Sequence, residues 1–183
     1  MSMNEITARI SQMNQELEEV RKEHMRKLQE AFREVTKEFF NETPVQAVIW
    51  TQYTPYFNDG EECVFGVNDP IFVIKGFDPD NIESDAYDYE DSDKYTQVVN
   101  YDARQIEWRK QAVSKNDKYS EHYALDLKNW EEQQAAYPGL GDVCDQFKRL
   151  LMSNDEVLRD VYGDHVKVVL TKDGATVDEY EHD

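Results

Sequence analysis

One run of this chain constrains its fold more than any other: residues 4 to 41, where apolar side chains recur at helical spacing. Ile6, Ile10, Met13, Leu17 and Val20 follow one another at steps of four, three, four and three. That alternation is the seam of a heptad helix, an apolar stripe kept on one face over successive turns. Beyond Val20 the stripe continues through His24, Leu28, Phe32, Val35 and Phe39. Its three consecutive steps of four rotate the stripe around the helix, as a stutter does, and relax any supercoil. Asn4 is placed to cap the start. Thr43-Pro44 ends the element, because proline disfavours α conformation in the residue before it. At ~1.5 Å per residue the helix reaches roughly 55 Å, longer than a domain of this chain length is wide. Its N-terminal half therefore projects. The Ile/Met/Leu seam then needs a cover: a second copy, a later helix of the same chain, or a target protein. Spacing alone leaves self-association and packing on the chain's own helices equally open.

After the helix the pattern changes. Residues 45–57 are rich in β-branched and aromatic types and read as a strand, with Pro55 marking an edge or break. Asn58-Asp59-Gly60 is a turn signal, and residues 62–67 and 71–75 supply the return strands. Residues 101–115 and 119–136 read as helices, with Trp108, Val113, Tyr123, Leu127 and Trp130 as candidate buried residues. Pro138-Gly139-Leu140-Gly141 breaks the chain. Asp142 is placed to cap a helix through Met152 with Val143, Phe147, Leu150 and Leu151 on its apolar face, and Asn154 to cap a short helix ending at Gly163. Residues 165–171 and 175–180 flank Lys172-Asp173-Gly174 as a second hairpin. Two hairpins forming one antiparallel sheet with helices on one face make an α+β fold. The expected organisation is a coiled-coil-like helix over 1–44 and a single α+β domain over 45–183.

Charge narrows the function. The 183 residues carry 39 acids against 20 Lys and Arg, a net charge of −19. Residues 1–41 are nearly balanced, and the excess lies beyond them, most densely over residues 78–93. That tract contains Asp78, Asp80, Glu83, Asp85, Asp88, Glu90, Asp91 and Asp93 with no basic residue, and Tyr87 and Tyr89 lie among them. A field of this sign repels nucleic acid and anionic membranes and steers basic partners inward. Direct nucleic-acid binding and membrane partners are therefore not expected. No apolar run of membrane length and no signal-peptide pattern occurs, and a cytoplasmic location with free Cys63 and Cys144 is expected, although their spacing does not forbid a disulfide.

Three readings of the tract stand side by side. It is a solvated loop, a divalent-cation loop, or a surface for a basic partner. The cation reading lacks the EF-hand glycine and closing glutamate. A nucleic-acid mimic needs denser charge: alternate acids on an extended chain lie about 6.6 Å apart, against one phosphate every ~3.4 Å of a DNA strand. Neighbours such as Asp59, Glu61, Glu62 and Asp69, or a second copy, would have to complete it. Tyr87 and Tyr89 supply rigid contact area of the kind found at interface hot spots, or else anchor the tract to the sheet.

Two segments carry a resemblance. Trp50-Thr-Gln-Tyr-Thr-Pro-Tyr-Phe-Asn-Asp-Gly-Glu61 resembles a signature found in a family of tailed-bacteriophage proteins, as do Tyr162-Gly-Asp-His-Val-Lys-Val168 and the final Glu179-Tyr-Glu-His-Asp183. The resemblance implies a phage-encoded protein acting in a bacterial cytoplasm. It implies no activity and no site.

Catalytic patterns are sparse. His24 falls on the helix seam, where it reads as a partly buried core or interface residue. His122 and Asp126 are spaced to share a helix face and read as a surface ion pair. Asp164-His165 and His182-Asp183 bracket the last hairpin. The chain has neither HExxH nor paired CxxC, no GxSxG, and no phosphate loop. Cys63 and Cys144 read as packing residues. The expectation is a non-enzymatic protein without cofactor or metal, binding a basic protein surface through Asp78–Asp93. A possible homodimer would form through Ile6, Ile10, Met13, Leu17 and Val20. The alternatives are an assembly module oligomerising through that helix and, more weakly, a metal-dependent hydrolase.

Overall fold

The computed structural model describes residues 3–56, 60, 62–76, 96–115 and 118–181. A single helix, α1 (Met3–Glu42), carries the whole N-terminal pattern. It already includes Met3, so Asn4 lies in its first turn and is not its cap. Arg26 bonds Glu23 and Glu30 along the outer face, and together with Lys27 it holds the Glu23 carboxyl down to about 2. Such pairs support an exposed helix at i,i+3 and i,i+4 spacing. The C-terminal half turns inward with Phe32, Thr36, Phe39 and Phe40 buried. The stripe thus steps from Phe32 to Thr36, and Val35 is left outside. Thr43 closes the helix by bonding back to the Phe39 carbonyl through both its amide and its hydroxyl.

Strand β1 (Ala47–Tyr53) is the centre of an antiparallel sheet. One edge pairs with β5 (Val166–Thr171) along its length, from Ala47 opposite Thr171 to Gln52 opposite Val166. The other edge is shared: β3 (Ile71–Lys75) pairs with Ala47 to Ile49, and β2 (Gly66–Val67) with Gln52 and Tyr53. Asn68, between the two, returns its amide to the Thr51 carbonyl and its side chain to the Thr51 hydroxyl. Outer strands β4 (Thr96–Gln97) and β6 (Gly174–Glu179) complete the described order β4-β3-β1-β5-β6. Both expected hairpins are present, joined through β1 and β5, but of the expected return segment 62–67 only Gly66–Val67 is strand. Of the Asn58-Asp59-Gly60 turn only Gly60 is described, at the positive φ that such a turn requires.

Four helices follow: α2 (Ala103–Ser114), α3 (Ser120–Ala136), α4 (Leu140–Met152) and α5 (Asp155–Tyr162). The end of α1 with α4 and α5 covers one sheet face. Phe39 stacks on Phe147 at 4.3 Å, above Val48, Trp50, Phe72, Val168 and Leu170. The opposite face is buried too, with Ala47, Ile49, Val73 and Val169 in a second cluster. The fold is therefore α+β, with its central strand buried on both sides. Helices α2 and α3 pack on each other. Gln133 of α3 ties the pair to the sheet edge by accepting from the Val99 amide and donating to its carbonyl, as a strand neighbour would.

Several local expectations change. Trp108 is exposed, resting edge-on against Tyr123, and Ala112, Leu127 and Gln133 take the buried positions between α2 and α3 and beneath them. In α4 the cap position falls on Gly139 at φ 79°, placing Asp142 inside the first turn and turning Val143 outward, while Leu140, Cys144, Phe147 and Leu151 form the buried stripe. Asn154 occupies the cap position of α5, but its amide bonds back to the Leu150 carbonyl.

Candidate interaction surfaces

The arm is the clearest unsatisfied surface. Ile6, Ile10, Met13, Leu17 and Val20 are 39%, 54%, 60%, 49% and 66% exposed. Of the two covers that spacing left open, packing on the chain's own helices does not occur over these turns among the described residues. The first described hydrogen bond between α1 and the rest of the fold comes from Gln29, whose amide donates to Asp160 of α5 at 2.6 Å. Leu28, just before it, and Phe32 line an apolar cleft with Leu150 and Val157. His24 is likewise exposed, so it is not a core residue of the monomer. A row of apolar side chains along a projecting helix leaves a continuous apolar strip in water.

A second constellation lies where β1, α5 and β5 meet. Gln52 is fully buried. Its amide nitrogen donates to the carbonyls of Leu158 and Gly163, and its oxygen accepts from Trp50 Nε1 at 3.0 Å. The Gly163 carbonyl lies just past the end of α5, where no helical amide can reach it, and Gln52 supplies its donor while adding a bond to Leu158 inside the helix. Beside it, Asp164 accepts from the Thr54 amide at 2.7 Å, the Thr54 hydroxyl at 2.6 Å and the His165 amide at 2.9 Å. Arg159 adds a contact at 3.0 Å. Burial raises the Asp164 carboxyl, but the bonds from Thr54 and His165 outweigh it and leave the group below its ordinary value. His165 holds φ 55° with its ring stacked on Tyr56 at 4.6 Å. Residues 50–56 and 162–168 thus meet in space through Gln52, Thr54 and Tyr56. Spacing cannot join them, because a contact across more than a hundred residues has no local period.

This corner is built to hold rather than to react. Asp164 is an ionised acceptor with its oxygens occupied, which makes it a poor base. Elsewhere His122 stands 3.8 Å from Asp126, which Arg109 also approaches at 3.4 Å, and the Arg109 guanidinium lies over the Tyr101 ring at 3.7 Å. Of these, the Arg109–Asp126 pair joins α2 to α3. Cys63 and Cys144 are free thiols, Cys63 half-buried outside any strand and Cys144 buried, where the surroundings push its thiol up to about 12. Such a thiol is a packing group, not a nucleophile. Among the described residues no three His, Cys, Asp or Glu side chains are grouped to hold a metal ion, and no helix is long and apolar enough to cross a membrane.

The partner-binding expectation over Asp78, Asp80, Glu83, Asp85, Tyr87, Asp88, Tyr89, Glu90, Asp91 and Asp93 lies outside the described residues, as do His182 and Asp183. Flanking residues Lys75 and Gly76 at one end, and Thr96 at the other, leave and re-enter the sheet on neighbouring strands β3 and β4. Comparison with known proteins returned no matching family model, curated protein or solved structure.

Proposed function

We propose that this chain is a non-enzymatic interaction protein that self-associates through its N-terminal arm and presents an acidic body to a basic protein surface. One observation carries the reading: five apolar side chains form an uncovered heptad seam on turns that do not reach the fold's own core. Burying apolar surface is worth about 25 cal/mol per Å², so a seam of this kind gains most by meeting another helix.

The acidic body supplies the second half. Residues 1–41 hold eight acids and seven bases, so −18 of the −19 lies beyond them. A field of that sign draws in basic partners at long range and is screened by salt. The resemblance to phage proteins adds a setting, the cytoplasm of an infected bacterium, where the partner would be a host protein with a basic face. Blocking or redirecting that protein is the corresponding role.

Sedimentation velocity tests the arm. Wild type is expected to sediment as an oligomer at about 100 µM, the range suited to a small interface, and Ile10→Asp/Leu17→Asp as a monomer. A wild-type monomer at that concentration refutes the arm's role. A pulldown from bacterial lysate tests the body. Capture at low salt that is lost in raised salt, and in a variant with Asp88, Glu90, Asp91 and Asp93 changed to Asn or Gln, supports it. Capture indifferent to both changes refutes it.

A further inference from the structure

Resting on the self-association reading, we infer that the arm pairs with a second copy of this chain in antiparallel orientation, with Met3 opposite Val20 of the second copy, Ile6 opposite its Leu17 and Ile10 opposite its Met13. The seam has six apolar positions from Met3 to Val20, all exposed. Antiparallel pairing in this register places each apolar residue against another and closes six layers with none left over. The next stripe residue, His24, stays outside the overlap. A parallel pair instead stacks His24 on His24 at the next layer, in the direction in which the helices approach the body.

Charge on the flanks is satisfied in either orientation. Heptad phase puts Arg9, Glu16 and Glu23 on one side of the seam and Thr7, Asn14 and Arg21 on the other. Antiparallel pairing sets Arg9 across from Glu16 of the second copy, twice by symmetry. Parallel pairing sets Glu16 across from Arg21. These pairs alone do not choose.

The bodies choose. Each carries −18 beyond residue 41, and α1 enters its body at Gln29. In the parallel pair the two entry points are level and the helix axes lie about 10 Å apart, so two strongly acidic bodies are forced side by side. In the antiparallel register the entry points are roughly 50 Å apart along the axis at ~1.5 Å per residue. Against a Debye length of ~8 Å at physiological salt, that separation removes nearly all of the repulsion. It also leaves an acidic body at each end of a rod, able to engage two basic surfaces at once.

Single-cysteine exchange tests the orientation. Met3→Cys and Val20→Cys are made separately on a Cys63→Ser background, with Cys144 left in place because it is buried. Under mild oxidation the mixture should give a disulfide-linked dimer and neither variant alone should. A symmetric dimer from each variant alone overturns the orientation while leaving self-association standing. A monomer by sedimentation in the unmodified chain overturns both. Charge reversal gives a second readout that needs no disulfide. Arg9→Glu should weaken the dimer roughly fivefold, two lost pairs at ~0.5 kcal/mol each, and Arg9→Glu/Glu16→Arg should restore it. A parallel pair would be insensitive to Arg9→Glu and weakened by the double change, which replaces the carboxylate facing Arg21 with a second guanidinium.

Discussion

Replacing Asp164 with alanine should destabilise the body far more than its position in a short loop implies. The carboxylate takes three hydrogen bonds from Thr54 and His165, with Arg159 as a fourth contact. Its side chain is only 23% exposed, so water reaches the vacated donors incompletely. At about 1 kcal/mol for each bond lost in this setting, Asp164→Ala should cost about 3 kcal/mol. For a chain of this length that is a fall of roughly 6–12 °C in Tm. Asp164→Asn keeps an oxygen for the two amides but replaces the one that takes the Thr54 hydroxyl and Arg159, so about 1–2 kcal/mol is expected. Urea unfolding followed by tryptophan fluorescence measures both, since Trp50 is buried beside this corner. Acid supplies an independent check. Because the folded carboxyl sits below its unfolded value, the stability it contributes is complete above that unfolded value and is lost as pH falls through the folded one. Wild type should therefore lose stability below about pH 4, and the alanine variant should lack this component of the loss. An alanine variant within about 0.5 kcal/mol of wild type would refute the reasoning, as would an asparagine variant as damaged as the alanine one.

Two further outcomes follow from the packing. Phe147→Ala removes the ring that stacks on Phe39 and touches Phe32 and Phe72, and should cost about 3–5 kcal/mol in urea unfolding; since it joins α1 to the sheet, a loss below about 1 kcal/mol would contradict the described core. Thiol titration with a chromogenic disulfide should modify Cys63 in the native protein, whereas Cys144 should react only on unfolding, and rapid native modification of both would refute the burial assigned to Cys144.

Periodicity made the elements legible. The heptad run announced α1, and β-branched and aromatic runs with turn residues announced the strands. These are local signals, set by backbone geometry within a few residues. Reading failed where two local choices were nearly equal in energy and a distant surface decided between them. Val35 and Thr36 are adjacent on the helix, and only the placement of the sheet determines that the threonine is buried. Trp108 is a better core residue by hydrophobicity than Ala112, but the close approach of α2 to α3 accepts the smaller side chain.

Spacing and composition suffice to specify a long helix with an apolar seam, strands and further helices after it, and a net charge that lies almost wholly beyond it. Those are properties of spacing and composition, which survive without knowing any neighbour. It took the packed fold to settle that the body meets α1 from Leu28 onward and leaves the first turns bare, and that Gln52, Thr54 and Asp164 close one corner. Burial is a relation between segments, and hydrophobic pattern states only that a face must be covered, not by what.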